Sequence, residues 1–128
     1  MSRPPITCHV LDSSTGRPAA DVTVVLEEYQ GHTNGSASFA PLYTGKTNAD
    51  GRCTDLMPGR EDLAKIGKSL KAKTPYKMTF KTAEYFEGRG VQSFYPWVEI
   101  VFAMQDTDEH YHIPLLISPF GYTTYRGS

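Results

Sequence analysis

The sequence predicts a mainly β protein, an antiparallel β-sandwich with one short helix. Three observations carry that expectation. About seven or eight short runs rich in Val, Ile, Thr, Tyr and Phe alternate apolar and polar residues with period two. Clusters of Gly, Pro, Asn, Asp and Ser punctuate them at regular intervals. Only one segment, around Thr82, carries a clear pair of helix-start and helix-stop signals. At 128 residues, with 39% hydrophobic and 12% aromatic side chains, the chain has the length and core material of one domain spanning 1–128.

Residues 6–12, ITCHVLD, read as a strand with Ile6, Cys8 and Val10 on one face and Thr7, His9 and Leu11 on the other. The stretch SSTGRPAAD turns the chain, and residues 22–29, VTVVLEEY, form a β-branched second strand. QGHTNGSASFAP, from Gln30 to Pro41, is so rich in small polar residues that it reads as a surface loop carrying a solvated His32. Residues 42–48 read as a third strand interrupted at Gly45. Asn48-Ala49-Asp50-Gly51 is a strong turn signal, followed directly by Arg52 and a short strand over CTDLM, residues 53–57.

Residues 58–74 are charged, with Leu63, Ile66 and Leu70 at helix-like spacing. The pattern fits a short helix and an irregular polar loop equally. Residues 76–82 alternate as a half-buried strand. Thr82 then caps the helix AEYFE, with Glu84 in the first turn and Gly88 as its stop. WVEIVFAMQ, from Trp97 to Gln105, reads as a long apolar strand with bulk on both faces, as expected inside a sheet. A turn at Thr107-Asp108-Glu109 leads to two closing strands, His110 to Ile117 and Tyr122 to the end, separated by Ser118-Pro119-Phe120-Gly121.

Thirteen basic and 14 acidic side chains leave a formal charge of -1 and no basic face, which argues against nucleic acid and anionic membrane as partners. No apolar run reaches the roughly eighteen residues of a membrane helix. MSRPPITCHV lacks an apolar signal core, and RGS is not an SKL-type peroxisomal address, so cytosol is the default compartment. Cys8 and Cys53 form no CxxC pair and read as two reduced thiols.

His110 and His112 share one strand face, and HxH can present two imidazoles to zinc, with His9 from another strand. A zinc site needs three or four ligands in known relation, and here only a dyad is visible. Imidazole near neutral pH is equally suited to general acid–base work, and a hydrogen-bonded core histidine beside a solvated one fits the same pattern. Arg52 follows a tight turn from which a guanidinium can reach a cleft and pair with a carboxylate, carbonyl or ureide. Arg126 has the same chemistry, and Tyr122 to Tyr125 place hydroxyls on both faces of the last strand. No GxSxG elbow, phosphate loop or paired-carboxylate signature is present.

Four stretches carry a resemblance to a known family. ITCHVLDSSTGRPAADVTVVLEE, TNADGRC, FYPWVEIVF and the closing HYHIPLLISPFGYTTYRGS resemble the opening strands, arginine-bearing turn, later strand and end signature of the 5-hydroxyisourate hydrolases, the transthyretin-related enzymes of purine catabolism. The final YRGS distinguishes these hydrolases from transthyretins, which share the fold and carry thyroid hormone.

The resemblance implies a transthyretin (prealbumin)-like sandwich. It also implies a homotetramer, a dimer of dimers with clefts between subunits. The implied reaction is hydrolytic opening of 5-hydroxyisourate to 2-oxo-4-hydroxy-4-carboxy-5-ureidoimidazoline, with no metal or organic cofactor. It places the catalytic set on His9, Arg52, His112 and Ser128, and substrate contacts on Arg52, Tyr125, Arg126, Gly127 and Ser128, with His110 as a neighbour outside the acid–base set. The departures are the stretch around 30–40, the charged segment 58–74, and Thr123 where a serine is common. Two other readings are a transthyretin-like carrier of a small aromatic ligand and a sandwich acting only in assembly.

Overall fold

A computed structural model describes residues 3–127. In chain order the elements are β1 (Ile6–Asp12), β2 (Arg17–Pro18), β3 (Thr23–Thr33), β4 (Ser36–Lys46), α1 (Arg60–Lys65), β5 (Pro75–Phe80), α2 (Thr82–Gly88), β6 (Val98–Ala103), β7 (Tyr111–Ser118) and β8 (Gly121–Thr124). They form two four-stranded sheets, ordered β2-β1-β7-β8 and β4-β3-β5-β6. The inner faces follow the period-two pattern. Ile6, Cys8, Val10, Leu115 and Ile117 from the first sheet are buried with Val24, Leu26, Tyr76, Met78 and Phe80 from the second. Each large side chain so buried contributes about 1.5–3 kcal/mol. The outer face of the first sheet holds what that alternation leaves over, including Thr7, His9 and His112.

The sandwich is as expected, with two amendments. β1 and β7 run parallel, while the other strand pairs are antiparallel. A parallel pair needs a long crossover, and here the chain builds the whole second sheet between the two strands. There are also two helices among the described residues rather than one. The second is α1, in the charged segment. Leu63 anchors it, Glu61 and Asp62 suit its first turn, and Leu70 is also buried, but Ile66 is 58% exposed. The apolar spacing there is thus not one continuous face, which is why it fits helix and loop alike.

Other local expectations need correction. Residues 30–41 are not a loop. β3 and β4 continue as a hairpin to a turn at Asn34-Gly35, whose φ values are both positive (52° and 80°). The extension stands largely free of the core, so its side chains lack the burial that marks a strand. Residues 53–57 form no strand, although Cys53, Leu56 and Met57 are buried. Thr82 is not a cap. Lys81 holds that position, and Thr82 lies buried in the first turn with its hydroxyl unpaired. β6 is an edge strand, not a sheet interior, and its outer face of Glu99, Val101 and Ala103 is exposed. No helix among the described residues is long and apolar enough to cross a membrane.

Candidate active site

Two neighbouring strands and one turn supply the site. β1 contributes Thr7 and His9, and the parallel register sets Thr7 beside His112 and His9 beside Pro114 on β7. The His9 and His112 rings lie 6.4 Å apart, tilted by 31°. Arg52 arrives from the turn after β4 and forms an isolated antiparallel bridge with His9.

That turn is closed by Asn48. Its side-chain oxygen accepts from the Asp50 and Arg52 amides at 2.9 and 3.0 Å, and its carbonyl accepts from Gly51 at 2.9 Å. Gly51 has φ +76°, and a Cβ there would collide with the Val10 carbonyl. Only glycine lets the turn close on β1, where the Val10 amide donates to the Gly51 carbonyl at 2.8 Å. Arg52 is thereby delivered to the face that carries the histidines. Among the described residues its guanidinium makes no ion pair.

A shallow cavity of about 230 Å³ lies here, lined by Arg3, Thr7, Cys8, Arg52, Cys53, Thr54, His110 and His112. Thr7 Oγ1 is hydrogen-bonded to two rings, 2.9 Å from His110 Nε2 and 2.8 Å from His112 Nδ1. His110 Nδ1 lies 2.9 Å from the Pro4 carbonyl. Both nitrogens of His110 are therefore occupied, so the HxH pair does not open two nitrogens toward one metal. Among the described residues no group of three or more His, Cys, Asp or Glu side chains converges to hold a metal ion.

Electrostatics favour neutral rings. Burial pushes the His112 pKa below the ordinary histidine value, and Arg52, His9 and His110 push it the same way. Burial and Arg52 also lower His9, against an opposing pull from the backbone and carboxylate of Asp50. A cation held beside two neutral imidazoles combines proton acceptors with an anchor for developing negative charge. Cys8 and Cys53 are buried and not joined by a disulfide, and burial pushes the Cys8 thiol up to about 12, the opposite of an activated nucleophile.

The closing segment divides. Gly127 bridges His112, its amide donating to the His112 carbonyl at 2.8 Å. Tyr125, just past the end of β8, is exposed and lines with His112 and Arg126 a second cavity of about 310 Å³. Arg126 lies 4.6 Å from the Tyr111 ring centroid and 3.6 Å from the Glu109 carboxylate. Ser128 lies outside the described residues. The structure thus brings together His9, Arg52, His112 and the Gly127 backbone, while the Arg126 side chain packs on Tyr111 and pairs with Glu109. Thr7 was not anticipated as a site residue. Its only signal was the strand face it shares with His9, because the pairing of β1 with β7 is not written in local sequence.

Fold and site together define a β-sandwich with a candidate acid–base centre on its outer face. A family model described as HIUase/Transthyretin family matches residues 6–127, and the chain belongs to that family. It is 42% identical to the 5-hydroxyisourate hydrolase of Salmonella dublin over 123 residues, covering 96% of this chain and 80% of that one. The structure of Klebsiella pneumoniae 5-hydroxyisourate hydrolase superposes with a TM-score of 0.72 at 34% identity, covering 96% and 98% of the two chains. Transthyretin from Sparus aurata superposes with a TM-score of 0.78 at 27% identity, covering 98% and 97%.

Proposed function

We propose that this chain is a hydrolase that opens the six-membered ring of 5-hydroxyisourate, giving 2-oxo-4-hydroxy-4-carboxy-5-ureidoimidazoline in urate degradation. The observation that carries the reading is the convergence of His9, Arg52 and His112 on one sheet face. It stands in a chain matched over nearly its whole length by a relative named for this activity.

Hydrolysis adds hydroxide to the acyl carbon and a proton to the departing ring nitrogen. One neutral imidazole takes the proton from water as the C–O bond forms. The imidazolium so formed, directly or through the second ring, then gives a proton to the nitrogen as the C–N bond breaks, so the pair ends unchanged. Positioned acid–base groups of this kind contribute about a hundred- to ten-thousandfold. Arg52 anchors the planar, electron-rich substrate and stabilises the developing oxyanion. Tyr125 and Gly127 extend the wall beside His112. Contacts from Arg126 and Ser128 rest on the family resemblance.

We further infer a homotetramer, a dimer of dimers whose clefts complete the site. The single-chain cavity of about 230 Å³ is small and shallow for a substrate pocket. The free edge strand β6 and the turn before β8 expose Val101 and Phe120 at 58% and 73%. Such apolar edges suit burial against a second copy. A carrier of an aromatic ligand would use an apolar channel, whereas this face presents two imidazoles and a guanidinium.

The test is the ultraviolet decay of freshly generated urate-oxidase product. Decay faster than the spontaneous rate supports the reading, and decay at the spontaneous rate with stoichiometric binding of aromatic ligands would leave only the carrier.

A further inference from the structure

His112 is tied into a hydrogen-bond chain whose proton positions follow from its fixed end. The Pro4 carbonyl can only accept, so its partner at 2.9 Å, His110 Nδ1, carries a hydrogen and donates it. A neutral imidazole has one N–H, so His110 Nε2 is an acceptor. Thr7 Oγ1, 2.9 Å away, therefore donates its only hydrogen to that nitrogen. Its second contact, His112 Nδ1 at 2.8 Å, must then be one in which Thr7 accepts. His112 consequently carries its hydrogen on Nδ1 and has a lone pair on Nε2, which has no hydrogen-bond partner among the described residues.

We propose that Thr7 and His110 are positioning residues that lock His112 as the Nδ1–H tautomer, making its Nε2 the general base of the reaction. This rests on the hydrolase reading, and it assigns the base that residue types alone leave open between His9 and His112. The tautomer of a ring is set by the bond its other nitrogen makes, and here that bond is to a hydroxyl whose own hydrogen is committed elsewhere.

The opposite arrangement requires His110 to be a cation, donating from both nitrogens. Thr7 would then donate to His112 Nδ1 and force the hydrogen of His112 onto Nε2, removing the base. The Pro4 carbonyl favours that cation, but burial and the nearby charges of Arg3 and Arg60 oppose it. The net direction keeps His110 neutral. Arg52 and His9, which face His112 from the turn and from β1, also disfavour positive charge on the relay.

The inference is tested by nitrogen NMR of the full-length protein labelled at histidine, at mildly alkaline pH, alongside kinetics. In the wild type His112 is expected to show a pyrrole-type Nδ1 and a pyridine-type Nε2. A pyridine-type Nδ1 in the wild type would overturn the proposal whatever any variant does. Thr7→Val should shift His112 toward the Nε2–H form and lower kcat by about ten- to a hundredfold, the range for partners that orient a functional imidazole, with KM little changed. Thr7→Ser, which keeps the hydroxyl, should restore both. A folded Thr7→Val protein with wild-type kcat would also overturn it. Failure of the hydrolase reading is separate, since it shows as no acceleration of 5-hydroxyisourate decay by the wild type, while the NMR result stands or falls independently.

Discussion

Gly127 leans directly on His112. Its amide donates to the His112 carbonyl at 2.8 Å, and a Cβ at 127 would stand 2.9 Å from His112 Cδ2 and 3.0 Å from Pro114 Cγ. Gly127→Ala should therefore displace the His112 ring rather than unfold the sheet. We expect kcat for 5-hydroxyisourate to fall by at least about tenfold, as for lost orientation of a functional imidazole, with the thermal midpoint nearly unchanged. Wild-type turnover in this variant would show that the glycine does not set the ring position.

Gly51 is the equivalent constraint on the other side of the site. Any side chain there combines a left-handed backbone with a collision against the Val10 carbonyl. Gly51→Ala should cost at least about 2 kcal/mol of stability in denaturant unfolding, as expected for strained backbone plus overpacking. Activity should fall further than unfolding explains, because Arg52 follows directly in the chain.

Arg52 should act in two separable ways. Arg52→Gln should lower kcat/KM by about a hundred- to a thousandfold through lost charge stabilisation. It should also move the acid limb of the pH profile. A general base works when neutral, so kcat/KM rises with pH through its pKa. Burial and then Arg52 hold His9 and His112 below the ordinary value of about 6.5. Removing the guanidinium should shift the limb to higher pH, and an unmoved limb would detach Arg52 from the histidines electrostatically.

The same rings make a prediction about stability. His9, His110 and His112 all have folded-state pKa values below their unfolded ones, burial being the largest cause in each. The unfolded chain then binds more protons, so their contribution is fully present above the unfolded value and is lost as pH falls through the folded values. The unfolding midpoint should drop between about pH 7 and about pH 5. A midpoint that rises over that window would contradict the neutral-ring assignment.

What sequence could and could not show follows from the range of the interactions. Alternation alone separated Thr7 and His9 from Ile6, Cys8 and Val10, because a strand's two faces are a local property. The Asp50-Gly51 turn was legible for the same reason, but the bridge from Arg52 to His9 spans distant parts of the chain. The contact of Thr7 with His110 and His112 has no local signal, because it depends on the parallel register of β1 on β7. Residues 30–41 read as a loop because small polar residues mark both loops and free-standing strands, although Asn34-Gly35 signals the hairpin. β6 reads as a sheet interior because Val101 and Ala103 put apolar bulk on its outer face, yet among the described residues no strand pairs beyond it.

The central claim is that His9 and His112 work as one acid–base unit. It is tested most directly by the rate of 5-hydroxyisourate decay with His9→Gln, His112→Gln and the double variant. Residues acting as a unit are strongly non-additive, so the double variant should lose little more than the worse single one. Losses that multiply, or a single variant that keeps the wild-type rate, would contradict it.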